Sequence, residues 1–240
     1  MRVALFLIAL TTLSSFHSPS IIKNDLIGSW QLESGSTLMT KIYSEKYFSV
    51  AMYNPKDKTF EGTAGGSWHI DKGQIVEKFE FHSLNPEKVG TEERTAFKQT
   101  GKTLQLNAAK KESWTLVDDG TPGALAGAWL ITGRMNENGE VSWRTPGVRK
   151  TMKILSGTRF QWIAYNTETR EFFGTGGGTY TTTDGKYTEN IDFFSRDNSR
   201  VGASLQFDFT LENGEWHHKG LSSKGDPIHE IWTRRENLEM

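Results

Sequence analysis

Residues 39–90 align without a gap to residues 151–202, at a constant offset of 112. The core reads YNPKDKTFEGTAGGSW from Tyr53 to Trp68 and YNTETREFFGTGGGTY from Tyr165 to Tyr180. By direct comparison 17 of the 52 positions are identical, among them Lys41, Tyr53, Phe60, Glu77 and Phe81 with their counterparts Lys153, Tyr165, Phe172, Glu189 and Phe193. A period near a hundred residues is a whole domain rather than a solenoid unit. The chain is therefore read as two copies of one fold, and each copy serves as an alignment for the other.

The first twenty residues stand apart. Arg2 precedes an apolar run from Val3 to Leu13, and Ser18 and Ser20 are small residues at plausible cleavage positions. This pattern predicts a signal peptide over residues 1–20, and the run is too short to span a bilayer. Its removal leaves a chain with no transmembrane segment, exported to a periplasm or secreted. The whole chain has 28 basic and 29 acidic residues, well mixed, which argues against a nucleic-acid partner or a polybasic membrane surface. There is no cysteine, so each copy must be held by its core.

Short apolar–polar alternations sit between turn signals. Ile75 to Phe81, Tyr187 to Phe193 and Ser204 to Leu211 each have period two. Asn138-Gly139, Asp184-Gly185 and Asn213-Gly214 separate such runs, with Lys72-Gly73 and Thr100-Gly101 in the first copy. Residues 119–123 form a breaker-rich linker between a first domain over 21–118 and a second over 124–236. Sequential hairpins without βαβ units predict an all-β chain of two up-and-down antiparallel barrels of about eight strands each. An open sandwich is the alternative. The second copy carries extra residues from Arg134 to Lys150, read as a longer hairpin.

Each copy opens on a Gly-x-Trp: Gly28 with Trp30, and Gly127 with Trp129. Each ends on a tryptophan strand around Trp114 or Trp232. This resembles the opening signature of lipocalins and other calycins, in which the tryptophan packs across the closed end beneath a basic residue of the last strand. Arg234 or Arg235 fits that part in the second copy, and the first has no equivalent. The second copy also resembles exported bacterial lipocalin-like proteins through Gly177-Gly178-Thr179-Tyr180, Tyr187-Thr188-Glu189 and Glu230-Ile231-Trp232. The resemblance implies barrels closed by Gly28, Trp30, Gly127, Trp129, Trp114 and Trp232, and implies no activity.

Alternation puts Glu77 on one face with Ile75, Phe79 and Phe81, and Glu189 with Tyr187, Ile191 and Phe193. A carboxylate on an apolar face is costly to ionise unless paired. Two readings follow: a polar anchor for a ligand, or a structural carboxylate satisfied by a buried partner. Glu230, beside Trp232, adds a second candidate acid. With Tyr180, Tyr187, Phe160, Trp162 and Phe193 as aromatic lining, the expected ligand contacts are Glu189, Glu230 and Glu77 among these rings. The Gly-rich segments lack the Gly-Lys-Ser/Thr of a phosphate loop and read as strand bends. His217, His218 and His229 read as surface residues, and no metal or cofactor is expected. The leading expectation is a non-catalytic protein binding a small apolar or amphipathic molecule. An envelope module that binds a protein partner through filled barrels, and a hydrolase using interior carboxylates, are the alternatives.

Overall fold

The computed structural model describes residues 23–106, 112–222 and 225–238. The expected signal segment lies outside the described residues. The first copy supplies strands Gly28–Ser34 (β1), Thr37–Tyr43 (β2), Tyr47–Asn54 (β3), Thr59–Asp71 (β4), Gln74–His82 (β5), Glu92–Thr100 (β6), Thr103–Leu106 (β7) and Glu112–Asp118 (β8). The second supplies Gly127–Met135 (β9), Val141–Trp143 (β10), Arg149–Leu155 (β11), Arg159–Asn166 (β12) and Phe172–Thr183 (β13). It continues with Lys186–Phe194 (β14), Ser204–Glu212 (β15), Glu215–Leu221 (β16) and Pro227–Arg234 (β17).

Both copies are closed antiparallel meanders. The first runs β1 to β8 in order, with β8 returning to β1. The second closes through β17 and β9, leaving β10 as a side strand on β9. Closure removes the exposed edges of a meander. The turns follow the sequence: Lys72-Gly73, Asp184-Gly185 and Asn213-Gly214 all have positive φ at both residues, which two-residue hairpins of this hand require. At the β6–β7 hairpin the central pair is Gly101-Lys102, one residue later than Thr100-Gly101, because Thr100 pairs with Thr103.

The closed ends are built alike. Trp30 donates its indole N–H to Leu26 O at 2.9 Å, and Trp129 to Leu125 O at 2.8 Å; both are fully buried. Gly28 and Gly127 hold positive φ, and a Cβ on Gly28 would sit 2.1 Å from Asp118 O. Arg234 stacks over the Trp129 ring at 4.4 Å and donates to Ala126 O. That is the basic residue anticipated for this end.

The Gly-rich stretches are strand bends. Register slips between Gly65 and Gly66 on β4, and between Gly177 and Gly178 on β13. A Cβ on Gly66 or Gly178 would lie 2.0 Å from the carbonyl of Lys78 or Asn190. These slips place an extra residue in the partner strand, Glu80 in β5 and Asp192 in β14. The bulge reverses the facing of everything after it. Phe81 and Phe193, expected inside with Phe79 and Ile191, point outward instead.

Outward, they join the barrels. Phe81 packs on Tyr165 with centroids 4.9 Å apart, and Phe193 packs on Tyr53 at the same 4.9 Å. Phe60 and Phe172, which occupy one repeat position, stack on each other at 6.2 Å. Residue i meets j′ while j meets i′, and one residue meets its own counterpart. This is the contact pattern of a two-fold interface. Around it, Arg235 is buried against Glu80 and Tyr165 and lies 4.0 Å from the Tyr47 ring centre. Asp118, at the end of β8, accepts hydrogen bonds from Ser29, Ser156, Thr158 and Gly157 N–H.

Candidate functional site

Each barrel holds a buried ion pair. In the first, Lys41 Nζ stands 2.9 Å from Glu77 Oε1, and the Tyr43 hydroxyl donates to the same oxygen at 2.7 Å. In the second, Lys153 Nζ donates to Glu189 Oε1 at 2.8 Å. Lys41 and Lys153 are repeat counterparts, as are Glu77 and Glu189. The carboxylates flagged by alternation are therefore paired, each with the lysine of its own copy, and Glu77 also accepts from Tyr43. Lys153 sits inside a ring of aromatics, 4.9 Å from the centres of Tyr187 and Trp216 and 5.3 Å from Trp232. Lys41 lies 5.6 Å from Trp114. Burial disfavours an ammonium by itself, and the paired carboxylate and the surrounding π faces offset that cost.

Above that layer the two barrels differ. The second has an open cavity of about 780 Å³, walled by Trp162, Ile191, Phe194, Leu205, Phe207 and Ile228. Glu189 and Glu230 reach its interior, and Arg134, Arg149 and Arg196 stand among its lining residues. The strand pairing explains the opening. β1 pairs β2 along its whole length, from Gly28 opposite Tyr43 to Ser34 opposite Thr37. β9 pairs β11 only from Gly127 to Leu130; beyond that, Gly133 to Met135 pair with β10. The extra hairpin takes β9's edge, and β11 is left unpaired on that side near the mouth.

Glu230 faces Arg134 at 3.1 Å, and its other oxygen lies 3.5 Å from His218 Nδ1. Burial alone would raise the Glu230 pKa, but His218 and the Lys153 and Arg134 charges outweigh it and hold the carboxyl lower. Burial, with Lys153 nearby, pushes His218 down, so its ring is neutral at pH 7. His218 is thus no surface residue: it is 3% exposed and packs on Phe207. The alternation of β16 turns it inward beside Trp216, while His217 faces out and meets His229 at 3.2 Å.

The expected contacts divide by depth. Trp162, Glu189 and Glu230 line the cavity. Tyr187, Tyr180 and Phe160 belong to the packed layer toward the closed end, where the Tyr180 hydroxyl donates to Ser156 O at 2.6 Å. Burial and the Glu189 charge raise the Tyr187 pKa well above its ordinary value, so its hydroxyl stays protonated. Glu77 is satisfied by Lys41 and Tyr43 beside the packed cluster of Trp68, Phe48, Phe79 and Trp114. Phe193 is in the interface between the barrels. Trp114 and Trp232 sit in the aromatic layers around the lysines rather than at the closed ends. Sequence reading missed Lys153, although Lys41 and Lys153 are identical across the repeat and lie on an inward-facing register. It also missed the rim arginines, for which no pattern in the chain gives a signal.

Residues 124–240 match a family described as a domain of unknown function, DUF4488, which covers the second barrel. No curated protein matches the chain. Among the described residues no three His, Asp or Glu side chains form a metal-binding group, and no helix is long and apolar enough to cross a membrane.

Proposed function

We propose that this is an exported, lipocalin-like binding protein that holds one small, largely apolar molecule in the second barrel, with the first barrel as a filled structural partner. The observation that carries this reading is the cavity. Its volume of about 780 Å³ lies within the range of small-molecule sites, and its walls are aromatic and aliphatic with a few convergent polar groups. The Lys153–Glu189 pair beneath is neutral as a unit and gives the deep end of the cavity a fixed polar contact.

The test is native mass spectrometry of residues 21–240 purified from the source cell, beside an Ile191→Trp variant that fills the cavity. A stoichiometric adduct present in the parent and absent in the variant supports binding. An adduct retained in the variant places the ligand elsewhere. The absence of any adduct, with no retention of apolar probes either, overturns the reading.

A further inference from the structure

The charges around the cavity do not cancel evenly. Glu189 is neutralised by Lys153, and Glu230 by Arg134. Two lining arginines remain, Arg149 and Arg196, and neither makes an ion pair among the described residues. One lining acid, Asp226, also has no ion pair there, so the rim carries an excess of positive charge. Both arginines line the cavity beside consecutive residues of β13. Arg149 stacks over the Phe173 ring at 4.7 Å. Arg196 lies over the next residue, Gly174, where its Nε would be 3.1 Å from a Cβ. Phe173 thus fixes one guanidinium by stacking, and Gly174 leaves room for the other.

The repeat provides the comparison. Position 149 corresponds to Thr37 and position 196 to Leu84. In the first barrel the exposed Leu84 side chain lies against Gly62, and Thr37 bonds to Glu61, so neither position carries a cation. Both arginines therefore stand at the cavity of the second barrel, and the first barrel has no arginine at either position. Guanidinium groups present paired donors that match planar oxyanions.

We propose that the ligand of the second barrel is an amphipathic anion, with its apolar body between Trp162, Phe194 and Ile228 and its anionic head group held by Arg149 and Arg196. This rests on the binding role proposed above and adds the charge class of the ligand. Rising ionic strength weakens the complex, because both arginines are exposed.

Isothermal titration with three probes of one chain length tests it: decanoate, decanol and decyltrimethylammonium, each below its micellar concentration. Decanoate is expected to bind tightest. Arg149→Gln/Arg196→Gln should lower its affinity about 10- to 100-fold, the size of charged hydrogen bonds lost. The same double variant should leave decanol affinity unchanged. An Arg94→Gln/Lys98→Gln control on the first barrel removes equal charge and should change nothing. If decanol binds as tightly as decanoate, or the control weakens decanoate as much as the rim variant does, the head-group assignment is overturned and cavity binding stands. If no probe binds, both readings fall together.

Discussion

The two barrels share a strand plan, a closed end and a buried lysine–glutamate pair, yet the second holds an open cavity of about 780 Å³ above its packed aromatic core. The difference comes from a few positions. Phe79 and Met52 in the first barrel are Ile191 and Ala164 in the second, both smaller and both lining the cavity, while Val50 is replaced by the larger Trp162. Leu84 lies against Gly62 in the first barrel where Arg196 lies against Gly174 in the second. The tight β1–β2 hairpin is replaced by the inserted β10 hairpin, which ends β9–β11 pairing after four residues. A barrel interior is filled or hollow according to side-chain volume and seam closure, not strand number alone. The duplicated chain keeps its outer joint and its buried ion pair, and varies the side chains toward the mouth.

The largest expected effects lie in that joint. Phe81→Ala and Phe193→Ala each remove a buried ring packed on a tyrosine of the other barrel. Each should cost about 3–5 kcal/mol in chemical denaturation. Because the contacts are related by the same two-fold pattern, the two losses should be alike. A large loss for one and little for the other would break the symmetry of the interface.

Next come the ion pairs. Removing one partner of a buried pair leaves an uncompensated charge and costs about 3–5 kcal/mol. Lys153→Met should fall in that range. Lys41→Met should cost less, since Tyr43 still donates to Glu77. Lys153→Met/Glu189→Leu should recover most of the stability, because both charges leave together. Denaturant midpoints of the four proteins check the order; equal losses in the two single variants would show that the tyrosine contributes nothing.

How much of this was legible follows from what periodicity can carry. Strand count, barrel closure, the Gly-x-Trp ends and the inward carboxylates at Glu77 and Glu189 are local or repeat-based signals, and all are present. Phe81 and Phe193 were misplaced because a bulge one residue earlier reverses the facing, and strict alternation has no term for it. The repeat held the missing clue. Tyr53, Phe60 and Phe81 recur identically at 165, 172 and 193 because each copy uses them against the other, whereas interior positions such as Phe79 and Ile191 diverged. His218 was misassigned because its strand, β16, lies outside the aligned repeat and offered no second copy to compare.

Asp118 tests the seam between the barrels through pH. Burial alone would raise its pKa, but hydrogen bonds from Thr158, Ser29 and the N–H groups of Gly120 and Gly157 outweigh it, so the folded value is below the ordinary 3.8. A group depressed on folding adds stability that is present above its unfolded pKa and lost as pH falls through the folded one. Asp118→Asn should therefore cost about 1–3 kcal/mol at pH 7. The gap between variant and parent should narrow below pH 3.8, as the parent's carboxylate is protonated. A gap that stays constant through acid would mean the carboxylate charge plays no part in the seam.

The smallest effect on stability should accompany the largest effect on binding. Ile191→Phe/Arg196→Leu gives the second barrel the first barrel's residues at two positions. Arg196 is exposed and makes no ion pair among the described residues, and Ile191, though buried, lines the cavity, so a larger ring can extend into it. The denaturant midpoint should stay near the parent's while ligand retention is lost. The reverse exchange, Phe79→Ile/Leu84→Arg, should not make the first barrel a binder, because β1 and β2 remain paired to their turn and the seam stays shut. It should instead destabilise, since Phe79 is buried against Phe48. Ligand uptake by that reversed first barrel would show that side-chain volume alone opens these interiors. Its failure, beside loss of binding in the converted second barrel, would show that the inserted hairpin is required as well.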